Sequence, residues 1–370
     1  MKIKRKIKIG ILGSRGIPNK YGGFEQFAEY LSKYLSNENF EVVVYNPHFH
    51  YSEIKNIQKT KIIHKWCPES FLGSAAHFIY DFLCLRSALK NNFDIIFELG
   101  YGTSAVSYFL LNKKKSILVT NMDGLEWKRD KWNFFTKKFM RWSEKIAVEK
   151  SDYLIADNNG IKEYLNKEYG KESLMIPYGS EIFTNQNANF LKKYNVNEDN
   201  YFLLIARLEP ENNIEIILDG YSSSKSSQPF LVVGNYNTKY GLFLKNKYID
   251  KNIKFLNGIY DKDIINNLRC FSKIYFHGHS VGGTNPSLLE AMGCKSFIAA
   301  HDNVFNRNVL GNDSLYFNTA EEVQLIINKD NKSNTKDLFI RNNINKIHST
   351  YSWKQISKQH VDFFAAIEKQ

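Results

Sequence analysis

Short runs rich in β-branched and aromatic residues alternate with longer stretches of helical period, and the alternation appears twice along the chain. A strand separated from the next by a helix cannot close a hairpin, so it pairs in parallel through a crossover and builds a sheet covered by helices on both faces. In the first half, strands are expected near Lys8 to Leu12, Glu41 to Tyr45, Lys61 to His64, Asp94 to Glu98, Ser116 to Thr120, Tyr153 to Ala156 and Leu174 to Ile176. A fresh series opens at Tyr201 to Ile205 and continues at Phe230 to Val233, Ile253 to Leu256, Lys273 to Phe276 and Ser296 to Ala299. The polar, Asn-rich stretch from Ile182 to Asp199 reads as a linker. This gives a first domain over 1–181, a second over 200–350, and a last helix over 351–370 placed to cross back to the first. Two doubly wound domains of this kind are expected to face each other across a cleft at their strand C-terminal ends, where open α/β sheets bind ligands.

Length agrees, since 370 residues at about 150 per domain make roughly two domains. Hydrophobic residues at 43% and charged residues at 24% exclude a disordered or fibrous chain, although aromatics run high at 15%. A formal charge of +12 draws the chain to polyanions without choosing between nucleotide, nucleic acid and anionic lipid. Cys67, Cys84, Cys270 and Cys294 are scattered, which suits reduced thiols in a cytosolic protein. The apolar part of the basic start is too short for a signal peptide, and no run of about 18 apolar residues occurs, so membrane contact is expected to be peripheral.

The first strand feeds a glycine-rich loop, Gly10 to Glu25, that opens a helix. Gly22 and Gly23 suit the approach of a phosphate or sugar hydroxyl to helix-start amides; a plain βα turn is the other reading. The G-x-x-G-x-x-G spacing, and the missing acid after Tyr45-Asn46-Pro47, exclude a nicotinamide-dinucleotide loop, and there is no G-x-x-x-x-G-K-[ST] run. After the fifth strand, Asp123 can orient a sugar hydroxyl or accept its proton, or else cap a helix with Glu126 as partner. Cations and aromatics from Lys131 to Trp142 form either a helix lying on an anionic membrane or an ordinary amphipathic helix.

In the second half, Arg207 at a strand end can grip a diphosphate or form a surface ion pair. The run His279 to Gly293 is a strand end, a glycine turn and a helix. It aims the amides of Gly283, Thr284 and Asn285 at an anion and sets Glu290 to accept from ribose hydroxyls. Asp261-Lys262-Asp263 reads as a helix cap, and no essential metal is expected.

Together GSRGIPNKYGGFE (Gly13 to Glu25), DGLEWKRDKW (Asp123 to Trp132), ARLEPENN (Ala206 to Asn213) and HSVGGTNPSLLEAMG (His279 to Gly293) resemble a GT-B glycosyltransferase of glycosyltransferase family 4. Within it they are similar to the bacterial rhamnosyltransferase-like group, over nearly the whole chain. The resemblance implies two Rossmann-like domains, a nucleotide-sugar donor on the second, an acceptor on the first, and transfer with retention of configuration, without metal or cofactor. It places Arg207 on the diphosphate, Glu290 on the ribose, and Gly22-Gly23 near the diphosphate from the other lobe, with Asp123, Arg207 and His279 as the catalytic set. The pattern departs at Gly282, where relatives carry a glutamate whose role His279 would take, at Asn212 in place of a lysine, and at Asn308 in place of a glutamate.

The donor implied is dTDP-L-rhamnose and the acceptor a lipid-linked saccharide, in bacterial surface polysaccharide assembly at the inner face of the cell membrane. UDP-glucose, UDP-galactose and a UDP-N-acetylhexosamine would use the same contacts. A nucleotide-sugar 2-epimerase and a noncatalytic nucleotide-sugar-binding protein stand as alternatives. Nucleic acid is not an expected partner, since it explains the charge but neither glycine turn.

Overall fold

The alternating pattern folds as two separate, almost wholly parallel sheets. The computed structural model describes residues 5–20, 22–111, 115–129, 132–249, 251–329 and 334–369. Tyr21, Asp130 and Lys131, which belong to the motifs above, lie outside the described residues. The chain forms two compact units. The first holds Met1–Trp127, Asn133–Tyr178 and Trp353–Gln370; the second holds Lys128–Trp132 and Gly179–Ser352.

The first unit's sheet contains β1 (Ile7–Leu12), β2 (Phe40–Pro47), β3 (Asn56–Ile57), β4 (Thr60–Lys65), β5 (Ile95–Leu99), β6 (Ile117–Asn121), β7 (Tyr153–Ala156) and β8 (Leu174–Met175). They lie in the order β3-β4-β2-β1-β5-β6-β7-β8, parallel except for the β3/β4 hairpin. From β1 the chain winds outward to β2, then returns to β5 on the other side. The C-terminal ends of β1 and β5 therefore flank a switch point, where this architecture opens a crevice.

The helix Gly23–Asn37 starts at that crevice, and Phe27 fixes its first turns by ring contacts with Phe97, Tyr178, Trp353 and His360. The helix Trp353–Ile367 packs on it, with Trp353 stacked on Tyr30 at 4.5 Å and Phe364 against Phe97. Burial pushes the His360 imidazole down to about 4, so it enters this aromatic layer uncharged. Tyr351, which the sequence pattern assigned to the same helix, belongs to the turn before it.

The second unit's sheet contains β9 (Phe202–Ile205), β10 (Phe230–Val233), β11 (Ile253–Leu256), β12 (Ile274–His277), β13 (Ile298–His301) and β14 (Leu315–Phe317). The order is β11-β10-β9-β12-β13-β14, parallel throughout, with the switch point between β9 and β12. Its core includes a cluster of rings, Phe202, Phe230, Phe276 and Phe317 among them.

Two strands escape the sequence pattern. β3 and β14 are only two and three residues long, too short for a strand period to stand out. The stretch read as a linker is packed instead: the 3-10 turn Ala188–Tyr194 buries Leu191, and the Asn187 amide donates to Asn267 Oδ1 at 2.6 Å, within the second unit. The Asn187 side chain accepts from the Asn189 amide at 3.0 Å, so a polar composition conceals an ordered segment.

Candidate functional site

In the second unit the loops leaving β9 and β12 are neighbours because their strands are neighbours. A Cβ on Gly278 would overlap the Asn212 carbonyl oxygen, so only glycine lets the two turns meet. They are laced together by Asn213 Nδ2 to the Gly278 carbonyl at 2.8 Å, and by the Ser280 hydroxyl to the Glu211 carbonyl at 2.8 Å. Asn212 Nδ2 donates to the Arg207 carbonyl at 2.7 Å, fixing the backbone that presents the exposed Arg207 side chain. The Gly282–Asn285 turn then opens the helix Pro286–Gly293, with Asn285 Oδ1 accepting from the Ser287 amide at 2.9 Å and proline at the first helical position.

Glu290 stands on that helix with its carboxylate ion-paired to Arg269 Nη2 at 2.7 Å. Arg269 is buried and also donates to Ser287 Oγ, so Glu290 is held in one rotamer rather than waving in solvent. Nothing in the residue pattern marks Arg269, which sits at the end of an amphipathic helix where a cation reads as a solvated last-turn residue.

His279 stacks on His277 with ring centroids 4.4 Å apart, and its Nδ1 is buried without a hydrogen-bond partner. Burial, with Arg207 and Arg129 adding, pushes its imidazole down to about 3. At neutral pH it is therefore an uncharged hydrogen-bonding group. Gly282 has φ +130 and open space around it, so a glutamate there would strain the backbone; the missing carboxylate is a feature of the turn's conformation.

In the first unit the glycines divide by cause. Gly13 (φ +80) and Gly16 (φ +99) are required by the backbone, and a Cβ on Gly13 would strike the Leu99 carbonyl and the Glu98 carboxyl. Gly22 caps the helix in an extended conformation that any residue adopts, and a Cβ there would meet only ordinary contact. Asp123 has φ +42, an uncommon conformation for a non-glycine residue, and its amide donates to Asn121 Oδ1. Asp123 precedes a short 3-10 turn, Glu126–Lys128, and not an α-helix; the next α-helix, Phe134–Lys150, is capped by Asn133. Asp123, Asp157 and Glu25 gather around Tyr178, whose phenol burial and these acids hold well above its ordinary range. Thus Asp123 and the start of the Gly23–Asn37 helix share one locality.

Beside them is a pocket of about 160 Å³ lined by Gly13, Ser14, Arg15, Phe24, Glu25, His77, Asp81 and Thr103. Asp81 accepts from Thr103 Oγ1 at 2.5 Å, while neither oxygen of the buried Glu98 accepts a hydrogen bond. Burial holds Glu98 well above the usual carboxylate range, with Asp81 adding. Sequence reasoning missed both acids, although each interrupts an apolar run, Tyr80-Asp81-Phe82 and Phe97-Glu98-Leu99, and a carboxylate at a core position is itself a signal.

The helix Phe134–Lys150 exposes Phe134, Phe135 and Trp142 beside Lys137, Lys138 and Arg141, and Lys138 lies over the Phe134 ring. Glu144 anchors its inner face by accepting from the hydroxyls of Tyr101, Tyr164 and Tyr169. Among the described residues no helix is long and apolar enough to cross a membrane.

Burial pushes the Asp81 carboxyl from 3.8 up to about 7 against the pull of Thr103. Between those values the folded protein holds a proton that the unfolded chain has released, so stability falls as pH rises through that window and levels off above it. Asp81→Asn should shrink the difference in urea midpoint between about pH 5 and pH 8, raising stability at pH 8 on the order of 1–3 kcal/mol. An unchanged pH slope would contradict the assignment.

Residues 186–333 match the family described as Glycosyl transferases group 1, and residues 6–181 match a Domain of unknown function (DUF1972). No curated protein matches the chain in sequence. Among solved structures it is similar to a glycosyltransferase from Rickettsia africae (14% identity, TM-score 0.74, 99% of each chain covered). It is also similar to sucrose-phosphate synthase from Thermosynechococcus elongatus (14%, 0.77, 98% of this chain and 99% of that one). A third is Anabaena HepE in complex with UDP-glucose (14%, 0.77, 97% and 100%). The fold is accordingly GT-B, two Rossmann-like α/β domains, and the chain is a glycosyltransferase carrying a group 1 transferase domain in its second half.

Proposed function

We propose that the protein transfers L-rhamnose from dTDP-L-rhamnose to a lipid-linked saccharide in bacterial surface polysaccharide synthesis. It acts with retention of configuration and without metal, as a glycosyltransferase family 4 member of the rhamnosyltransferase-like group. The observation that carries the donor site is the convergence, at the β9/β12 switch point, of Arg207, the Gly282–Asn285 turn and Glu290 held by Arg269. Breaking the sugar–phosphate bond builds positive charge on the ring and negative charge on the departing diphosphate. A guanidinium and helix-start amides, fixed before reaction, stabilise that developing charge.

In this scheme the Gly283, Thr284 and Asn285 amides and Arg207 hold the diphosphate, and Glu290 accepts from the ribose hydroxyls. The acceptor hydroxyl attacks the anomeric carbon from the leaving group's side. Its new C–O bond replaces the C–O bond to phosphate, and the departing phosphate oxygen takes the proton. Asp123 positions the sugar or acceptor, and uncharged His279 hydrogen-bonds a sugar hydroxyl, a role that a carboxylate at position 282 would fill only by straining the φ +130 backbone.

A second reading, a UDP-hexose or UDP-N-acetylhexosamine donor, is favoured by the UDP-glucose complex of Anabaena HepE. Arg207 and Glu290 would read phosphate and ribose in either case. The exposed aromatics and cations of Phe134–Lys150 support a cytoplasmic protein that sits peripherally on an anionic membrane.

Arg207→Ala should lower turnover at least about 100-fold with an unchanged circular dichroism spectrum, while EDTA leaves wild-type turnover intact. Retained activity in the variant, or loss on chelation, would contradict the scheme. Phe134→Ala with Phe135→Ala should weaken binding to vesicles containing phosphatidylglycerol several-fold without altering turnover of a soluble acceptor; unaltered vesicle binding would remove the membrane role.

A further inference from the structure

No step of the proposed transfer uses the pocket of the first unit. It is built at the β1/β5 switch point: Ser14 and Arg15 leave β1, Phe24 and Glu25 open the Gly23–Asn37 helix, Asp81 comes from the helix Ala76–Lys90, and Thr103 follows β5. Its volume of about 160 Å³ falls well short of the roughly 300–1,000 Å³ of sites for whole drug-sized ligands. One sugar residue fits such a space better than a nucleotide sugar.

Asp81 and Glu25 are each only 6% exposed, and each has one oxygen engaged. Asp81 Oδ2 accepts from Thr103 Oγ1 at 2.5 Å, and Glu25 Oε1 accepts from the Arg15 amide at 2.7 Å. Among the described residues nothing bonds to Asp81 Oδ1 or Glu25 Oε2. The engaged oxygens hold both side chains in place, and a nearly buried polar atom without a partner costs free energy that a ligand hydroxyl restores. Burial keeps the Asp81 carboxyl at about 7, so near neutral pH its second oxygen both accepts and, when protonated, donates. A hydroxyl meets either state, whereas an ammonium or a carboxylate meets only one.

Phe24 supplies an apolar wall, and its ring sits so near the backbone after β5 that a Cβ on Gly100 would come within 3.1 Å of it. Carboxyl oxygens beside an aromatic face suit a pyranose ring, which hydrogen-bonds through its hydroxyls and packs through its C–H face. Arg15 Nη1 stands 3.8 Å from Glu69 Oε1, so its charge already has an acid for company, and an anionic group in the pocket would meet Glu25 and Asp81.

We infer that this pocket seats one uncharged sugar residue, with Asp81 Oδ1 and Glu25 Oε2 bonded to its hydroxyls and Phe24 against its ring. The inference rests on the reading of the first unit as the acceptor side and deepens it: the acceptor presents a neutral sugar there, and not a uronic acid or a phosphorylated sugar.

Ligand-observed NMR of the full-length protein tests it, with the methyl glycosides of rhamnose, glucose, galactose and N-acetylglucosamine as neutral probes and methyl glucuronide and glucose 6-phosphate as charged ones. At least one neutral glycoside should bind, and both charged sugars should bind at least about tenfold more weakly. Asp81→Leu should weaken the neutral glycoside roughly 10- to 100-fold, and Glu25→Gln, which keeps an acceptor for the Arg15 amide, at least about fivefold, with UDP affinity unchanged in both. No bound neutral glycoside, tighter binding of a charged sugar, or affinity within twofold of wild type in Glu25→Gln would overturn the inference. In turnover, Glu25→Gln should raise the KM for a soluble acceptor and leave the donor KM as it is. Loss of the glycoside with an unchanged acceptor KM would leave a sugar site standing and bring down the acceptor reading of the first unit.

Discussion

The close approach of the loops leaving β9 and β12 is the constraint on which the second unit's chemistry depends. It exists because two adjacent parallel strands end at a switch point, and because no Cβ stands at Gly278 to hold the Asn212 carbonyl away. Side chains then lock the approach: Asn213 to the Gly278 carbonyl, Ser280 to the Glu211 carbonyl and Asn212 to the Arg207 carbonyl. With those loops fixed, the start of the Pro286–Gly293 helix, the backbone of Arg207 and the ion-paired Glu290 carboxylate are set by the fold itself. Preorganised dipoles of this kind need no reorganisation at the moment of reaction.

Much of this was legible because its causes are local. The strands β7, β10 and β11 begin and end where the apolar runs do, and Asn285-Pro286 announces a helix start by residue type alone. Glycine was legible as a marker but not in its meaning. Gly13 and Gly16 answer to backbone conformation, Gly278 to a neighbouring carbonyl, and Gly22 to neither, distinctions that arise only from three-dimensional neighbours. The strands β3 and β14 were hidden because two and three residues are too few to show a strand period. After Asp123 the chain makes only a 3-10 turn, Glu126–Lys128, and not the α-helix that a capping residue there suggests.

What sequence reasoning missed is mostly support. Arg269 fixes Glu290 from a different helix, and Glu144 gathers three tyrosine hydroxyls to hold Tyr101 after β5. Asp81 and Glu98 lie in and beneath the first unit's pocket, kept protonated upward of the usual carboxylate range by burial. None of these follows from spacing along the chain, because each depends on burial that only the packed sheet creates.

The central claim is that an anion is held at the start of the Pro286–Gly293 helix. A crystal structure of the protein with bound dTDP or UDP tests it most directly. The account predicts phosphate oxygens within hydrogen-bonding distance of the Gly283 and Thr284 amides, with the ribose hydroxyls on Glu290. A nucleotide seated instead on the Gly13–Gly16 loop of the first unit, with the Gly282–Asn285 turn unengaged, would contradict it.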